Sequence, residues 1–309
     1  MASAQQPTLP VIGVLGSASP DQWVDRLRAF REGLVEAGYV EGKNVALEYR
    51  WADGRNYRLL ALAAELVRHP VAVIVVLGST PSAIAAKAAT TTVPVVFRVA
   101  VDPVELGLVP SLSRPGGNIT GVTTLGVEVG PKQLELLREL IPAASVVALL
   151  TNPTNPAIAE IQSRDLRAAA RALGLQLHVA NASSESEFDA IFASLTELRA
   201  GGLVLGADAF FNSQNERLAA LALRNAIPTI SPYREFAVAG GLMSYGGSIT
   251  GASRQAGVYA GRILSGEKPA ELPVQRAVNV DLVTNLKTLR ALGLTMPPAL
   301  RSRTDEVIE

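Results

Sequence analysis

The chain has 309 residues, 48% hydrophobic and 18% charged: enough apolar material for two ordinary domains, and too little charge for wholesale disorder. Lysine plus arginine equals aspartate plus glutamate at 28 each, so a nucleic-acid surface and a polybasic membrane anchor are both disfavoured. There are no cysteines, which removes disulfides, thiolate metal sites and a cysteine nucleophile together.

The opening Met-Ala-Ser-Ala carries a small-residue triplet, Ala2-Ser3-Ala4, of the kind that ends an export signal's cleavage site, so a mature form with its signal removed is expected. Thr8 to Gly16 is an apolar run of strand length. Ser19 then reads as an N-cap with Pro20 at the first helical position, and the helix carries Trp23, Leu27, Phe30, Leu34 and Val35 on one face until Gly38 stops it. Asn44 to Trp51 alternates as a strand, and a helix follows from Tyr57 to Arg68. Val71 to Leu77 is continuously apolar, as a buried parallel strand should be, and is far too short to span a membrane. Thr80-Pro81 caps a helix of small residues to Ala89, and Val93 to Val99 is a fourth strand.

Between Phe97 and Thr124 the pattern changes. Pro103, Pro110 and Pro115-Gly116-Gly117 punctuate the segment, and extended structure resumes at Asn118. Beyond it the βα alternation starts again. Helix 132–140, strand 146–150, helix 157–173 and strand 175–180 are followed by helix 185–198, strand 202–205, helix 213–225 and strand 227–230. Strands recur every ~20–30 residues in both halves, the spacing of βαβ units. The tail reads as strand 240–245, helix 252–264, a linker at 269–273, strand 278–283 and helix 285–292. The expected fold class is therefore α/β, with two doubly wound parallel-sheet lobes joined by a multi-segment hinge. Residues 8–122 plus 234–266 are expected to form the N-terminal lobe, and 123–233 plus 267–309 the C-terminal lobe.

In an open parallel sheet, ligands lie beyond the carboxyl ends of the strands. The residues there are Ser17, Ser19 and Trp23, then Ser79 and Thr80, then Asp102, all from the first half. The second half supplies Asn152 and Asn155, Asp208 and Phe210, and Ser231 and Tyr233. Hydroxyls, amides and two carboxylates gather where a structural loop needs only turn formers, although Ser19, Thr80 and Asn155 also suit simple helix capping. Helix starts at Pro20, Pro81 and Pro156 point free N–H groups the same way and suit a carboxylate. Arg98 lies in an apolar strand, where a buried cation needs a partner such as a ligand carboxylate or a nearby acid.

The inventory for catalysis is thin. There is no GxGxxG, no phosphate loop and no GxSxG elbow, and only two histidines, His69 and His178. No metal and no cofactor is expected, and the residues suit recognition without turnover.

Six stretches carry a resemblance: FREGLVEAGYVEGKNVALEYRWADG (30–54), VPVVFRVAVDPVELGLVPSLSRPGGNITGVT (93–123), KQLELLRELIPAASVVALLTNPTNP (132–156), REFAVAGGLMSYG (234–246), GRILSGEKPAELPVQ (261–275) and the closing 280–309. In this order, over nearly the whole chain, they resemble the ABC-transporter substrate-binding family of the tryptophan/tyrosine-binding type. The resemblance implies a type I periplasmic-binding-protein fold. It also implies a periplasmic, monomeric receptor that hands a small solute to a membrane permease, with no nucleic-acid partner. It makes Thr80, Asp102, Asn152 and Asp208 pocket positions. Two departures stand out: Ser231-Pro232-Tyr233-Arg234 occupies a place where amino-acid binders tend to carry an acid, and Arg98 replaces a neutral residue. The solute is then a carboxylate-bearing molecule, either an amino acid or an aromatic or branched organic acid. Two other readings stay open: an enzyme on the same two lobes using Asp102 and Asp208 as an acid–base pair, and a ligand-sensing regulatory domain.

Overall fold

The computed structural model describes residues 9–124, 126, 128–276 and 280–309. The Ala2-Ser3-Ala4 triplet, the start of the first expected strand at Thr8 and the start of the strand expected at Val278 lie outside the described residues. In chain order the first elements are β1 (Val11–Gly16), α1 (Val24–Glu36), β2 (Ala46–Trp51), α2 (Leu59–Arg68), β3 (Val71–Leu77), α3 (Thr80–Ala89), β4 (Val95–Val99) and β5 (Ile119–Thr123). There follow α4 (Gly130–Leu140), β6 (Val146–Thr151), α5 (Pro156–Ala172), β7 (Gln176–Asn181), α6 (Phe188–Glu197), β8 (Gly202–Leu205), α7 (Ala209–Ser213), α8 (Asn215–Arg224) and β9 (Thr229–Ser231). The remainder is α9 (Arg234–Val238), β10 (Met243–Gly247), α10 (Ile249–Leu264), β11 (Gln275–Arg276), β12 (Val280–Asn285), α11 (Leu286–Ala291), α12 (Pro298–Arg301) and β13 (Glu306–Ile308).

The chain forms two compact units. One comprises 1–99, 103–122 and 250–275, and the other 100–102, 123–249 and 276–309. The first holds a sheet of order β11-β5-β4-β3-β1-β2, the second a sheet of order β13-β12-β10-β9-β8-β6-β7. Counted from their first strands, β2-β1-β3-β4-β5 and β7-β6-β8-β9-β10 are the same doubly wound order. Parallel pairing joins β1 to β2 and β3, and β3 to β4. It likewise joins β6 to β7 and β8, and β8 to β9.

The partition differs from the expected one at the return segment. β10 was expected in the first lobe, but it pairs in parallel with β9 and in antiparallel with β12. Residues 234–249 therefore belong to the second unit, and the chain re-enters the first only at Thr250. Residues 267–275, expected in the second lobe, complete the first: Val274 N–H donates to Leu112 O at 2.7 Å and Thr120 Oγ1 to Leu272 O at 2.6 Å. Asp102, expected with the first half, groups with the second unit. There the neighbouring Val101 carbonyl accepts from Thr123 Oγ1 at 2.9 Å.

The cores follow from the strand composition. β3 is apolar along its length because helices cover both faces of a parallel sheet, and six of its seven residues are buried. Phe30 and Leu34 of α1 meet Ala256, Tyr259 and Ala260 of α10 in one cluster on that sheet. In the second unit, Phe188, Phe192 and Phe211 pack with Leu218 and Phe236 against one face of the sheet. Leu134, Leu137, Leu166 and Leu289 form the cluster on the other face. Among the described residues no helix is long and apolar enough to cross a membrane.

Candidate functional site

Because both sheets are wound in the same order, each has one switch point where successive crossovers leave on opposite faces. That point is β1/β3 in the first unit and β6/β8 in the second, and it opens a crevice at the carboxyl ends of the strands. The polar residues that follow these strands are Ser17 and Ser79 in one unit, and Asn152 and Asp208 in the other.

In the first unit, Ser79 rather than Thr80 caps α3. Its backbone is extended and its Oγ accepts from Ser82 N–H at 3.3 Å. Thr80, 5% exposed, is the first helical residue rather than the cap. Ser17 is buried behind β1, and its carbonyl accepts from Gly54 N–H at 2.7 Å. Ser19 has the extended backbone of a cap but makes no side-chain cap hydrogen bond, and Pro20–Trp23 is a 3₁₀ turn ahead of α1. Trp23 is buried, with its ring edge-on to Trp51 at 5.4 Å.

Three residues that the strand-end reading passed over shape this edge. Trp51 ends β2 opposite Gly16, lies over that glycine and stacks on Tyr49 at 5.9 Å. Arg26, in the first turn of α1, lies over the Trp23 ring at 5.1 Å and donates Nη1 to Leu77 O at 3.3 Å. Gly78, with φ of +108°, lets the Arg98 side chain cross the chain directly behind β3: a Cβ there would stand 1.4 Å from Arg98 Nη2. Arg98 Nη2 donates to the same Leu77 carbonyl, also at 3.3 Å. Only Arg98 had a sequence signal, a lone cation among apolar neighbours; Arg26 sits at an ordinary helical position and Trp51 reads as the end of an edge strand.

In the second unit one network joins the loops after β6 and β8. Asn152 donates Nδ2 to Asp208 Oδ1 and Asn155 donates Nδ2 to Asp208 Oδ2, each at 3.0 Å. Phe210 N–H donates to Asp208 Oδ1 at 2.9 Å, so Asp208 also caps α7. Asn152 Oδ1 in turn accepts from Thr154 N–H at 3.0 Å and from Thr154 Oγ1 at 2.8 Å, which fixes its orientation. Asn155 precedes α5 but makes no side-chain cap bond; its Nδ2 instead donates to Asp208. Gln162, absent from the sequence candidates, braces the same corner by accepting from Ala207 N–H at 2.6 Å.

The remaining candidates divide. The Phe210 ring stacks on Phe188 at 5.6 Å and belongs to the aromatic cluster. Ser231 is buried and its Oγ accepts from Tyr233 N–H at 3.2 Å, while Tyr233 is buried at the start of α9. Asp102 lies 3.9 Å from Arg276. Among the described residues no group of three or more histidine, aspartate or glutamate side chains could hold a metal ion. The arrangement can offer hydroxyls, amides and cations to a small polar molecule.

The sequence profile of the ABC transporter substrate binding proteins matches residues 11–308. The chain belongs to this family. It is 28% identical over 268 residues to a tyrosine-binding protein of Clostridioides difficile (strain R20291), covering 86% of this chain and 76% of that one. Among solved structures, a conserved domain protein from Vibrio cholerae O1 biovar eltor is 27% identical, with a TM-score of 0.88 over 97% of this chain and 100% of that one. An ABC domain from Streptococcus pneumoniae in complex with L-Trp matches over the same shares with a TM-score of 0.86 at 24% identity. The family's fold, two parallel-sheet lobes of the type I periplasmic-binding-protein kind, is the one described above.

Proposed function

We propose that this family member is the extracytoplasmic receptor of an ABC importer. It captures one small carboxylate-bearing solute, works in the periplasm as a monomer, and delivers the solute to a membrane permease. The observation that carries the reading is the duplicated switch point, with one polar set behind β1 and β3 and a second behind β6 and β8. Ser17, Ser79 and Thr80 on one lobe and Asn152, Asn155, Asp208 and Asp102 on the other serve the same solute, with Trp23 and Tyr233 as apolar walls. A solute that touches both lobes favours their closed arrangement by its differential contacts, and hinge closure follows from that preference. The relatives support the solute class, one being named for tyrosine and another holding L-Trp.

Recognition without turnover is part of this reading. An acid–base role for Asp208 needs a carboxylate free to exchange a proton, and both of its oxygens already accept side-chain amides. The test is thermal unfolding of the whole chain against amino acids, aromatic acids and branched acids. At a hundredfold excess over Kd a true solute should raise Tm by ~5 °C or more. Thr80→Val and Asn152→Ala should each weaken binding of that solute by ~10-fold, the value of one buried hydrogen bond. No rise with any member of the panel counts against the reading.

A further inference from the structure

Two acceptors of the second unit are buried without a donor, and both follow the carboxyl ends of β8 and β9. Asn215, 9% exposed, opens α8; its Nδ2 donates to Asn212 Oδ1 at 3.3 Å, while its own Oδ1 is enclosed with no hydrogen bond. Glu235, half-buried, is the second residue of α9, and its Oε2 is enclosed in the same way. Among the described residues it is the one carboxylate oxygen so placed. β8 and β9 are neighbours, with Leu203 paired to Thr229 and Val204 to Ile230. The chain leaves β8 through α7 into α8, and leaves β9 into α9. These two helices pack on one another, with Leu218, Ala219 and Ala222 sharing a cluster with Phe236. The topology therefore brings both acceptors to one corner of the sheet. That corner adjoins the Asp208 network, since Asn212 N–H donates to Asp208 O at 3.1 Å.

The arginines of these helices are committed elsewhere. Arg234 donates Nε and Nη2 in parallel to the two oxygens of Glu306, at 2.7 and 2.5 Å, and acts on Glu235 only through space. Arg217 and Arg224 of α8 both pair with Asp189. Ser231 and Tyr233, directly behind β9, bring no charge, so Glu235 is the first acid after that strand. Glu216, in the first turn of α8, offsets the positive end of that helix for an incoming cation. A buried acceptor without a donor is costly, more so when it is charged, and a ligand that brings the donor recovers that cost.

We infer that Asn215 and Glu235 form an ammonium-holding subsite of the second unit, and that the solute carries an amine as well as its carboxylate. The inference rests on the solute-receptor reading and narrows its substrate class. An ammonium group has three donors and no acceptor, so it satisfies Asn215 Oδ1 and Glu235 Oε2 together. The bond to Glu235 is charge-assisted, and it is the one that separates an amine from a hydroxyl or a bare methylene. Asn215 adds direction, because its Nδ2 is held by Asn212 and its Oδ1 is the end left for the solute.

The test is calorimetric titration of the whole chain with matched pairs on three skeletons. Phenylalanine is compared with 3-phenylpropionate, tryptophan with 3-indolepropionate, and leucine with 4-methylvalerate, so that each pair differs only in the amine. At least one amino acid should bind, and its partner without the amine should bind ~10- to 100-fold more weakly. Glu235→Gln removes the charge at nearly constant volume and should cost the amino acid ~10-fold or more while leaving the plain acid unchanged. Asn215→Ala should narrow the same preference by ~5- to 10-fold. Equal or tighter binding of the plain acid, or a folded Glu235→Gln protein that keeps the full preference, overturns the inference and leaves the receptor reading standing. Binding by no member of any pair overturns both. The comparison on the unmodified chain decides the matter even if a variant fails to fold.

Discussion

Asp208 is where a functional and a structural reading of one residue can be separated by measurement. Its carboxylate is 8% exposed and holds two asparagine amides and a backbone N–H in place. Asp208→Ala strands all three donors and removes the α7 cap, so it should lower unfolding free energy by ~2–4 kcal/mol in urea titrations. Asp208→Asn keeps one acceptor oxygen and should cost about half as much. A loss below ~0.5 kcal/mol for the alanine variant would mean that the two loops hold their shape without the carboxylate. Much of this was legible in the residues alone, since Asn152, Asn155 and Asp208 all follow strands. What could not be read was that they bond to one another, because residues 53 and 56 positions apart meet only through the sheet order. For the same reason Asn155 reads as a cap although its amide is spent elsewhere, and the cap of α3 falls one residue early, on Ser79.

At the scale of elements, the packing of α10 on α1 has a signal in sequence that periodicity does not report. A Cβ on Gly33 would stand 1.8 Å from Arg254 O, and one on Gly257 would stand 2.1 Å from Phe30 O, so the two helices touch backbone to backbone. The Arg254–Glu36 ion pair lies beside this contact but is exposed and contributes little. Gly33→Ala gains ~1 kcal/mol of helix propensity yet forces apart two backbones that cannot yield, an overpacking cost of ~1–3 kcal/mol or more. The expected net result is destabilisation in a urea titration, and a stabilised variant would show that α10 sits further out. A second element-level prediction concerns pH. Glu187 closes a capping box at the start of α6: its Oε2 accepts from Ser183 N–H at 2.7 Å and Ser184 N–H at 2.8 Å. These two bonds, the one from Ser183 first, hold its carboxyl below the ordinary glutamate range. A depressed folded pKa gives stability that is fully present above the unfolded value of ~4.3 and is lost as pH falls through the folded value. Carboxyl NMR should therefore place the Glu187 midpoint below that of exposed glutamates. The Tm gap between the wild-type chain and Glu187→Gln should close on acidification; a midpoint at or above the ordinary range would discard the box as a charge-dependent cap.

At the scale of the whole molecule, the duplicated βα rhythm was readable because strand and helix periods alternate so regularly in both halves. The return path was not, because it depends on which sheet β10 joins, and an isolated run such as Met243–Gly247 pairs equally well with any open edge until the competing edge is known. The consequence is a first unit that residues 9–122 cannot finish. Its main cluster draws Ala256, Tyr259, Ala260, Ile263 and Leu272 from the returning segment, and Tyr259 OH also donates to Pro273 O at 2.6 Å. Without them Phe30 and Leu34 of α1 face water, and burial of a large apolar side chain is worth ~1.5–3 kcal/mol each, comparable in sum to the whole stability of a small domain. A fragment ending at Val122 should thus lack near-ultraviolet circular dichroism and a cooperative urea transition, while keeping helical far-ultraviolet signal. Joining 250–275 to it through a flexible glycine-serine linker should restore both, since that segment supplies the missing helix and the Leu272 and Val274 contacts to the first unit. Cooperative unfolding of the 9–122 fragment by itself would show that α10 only decorates the unit, and the division of the chain at Ile249/Thr250 would then lose its energetic meaning.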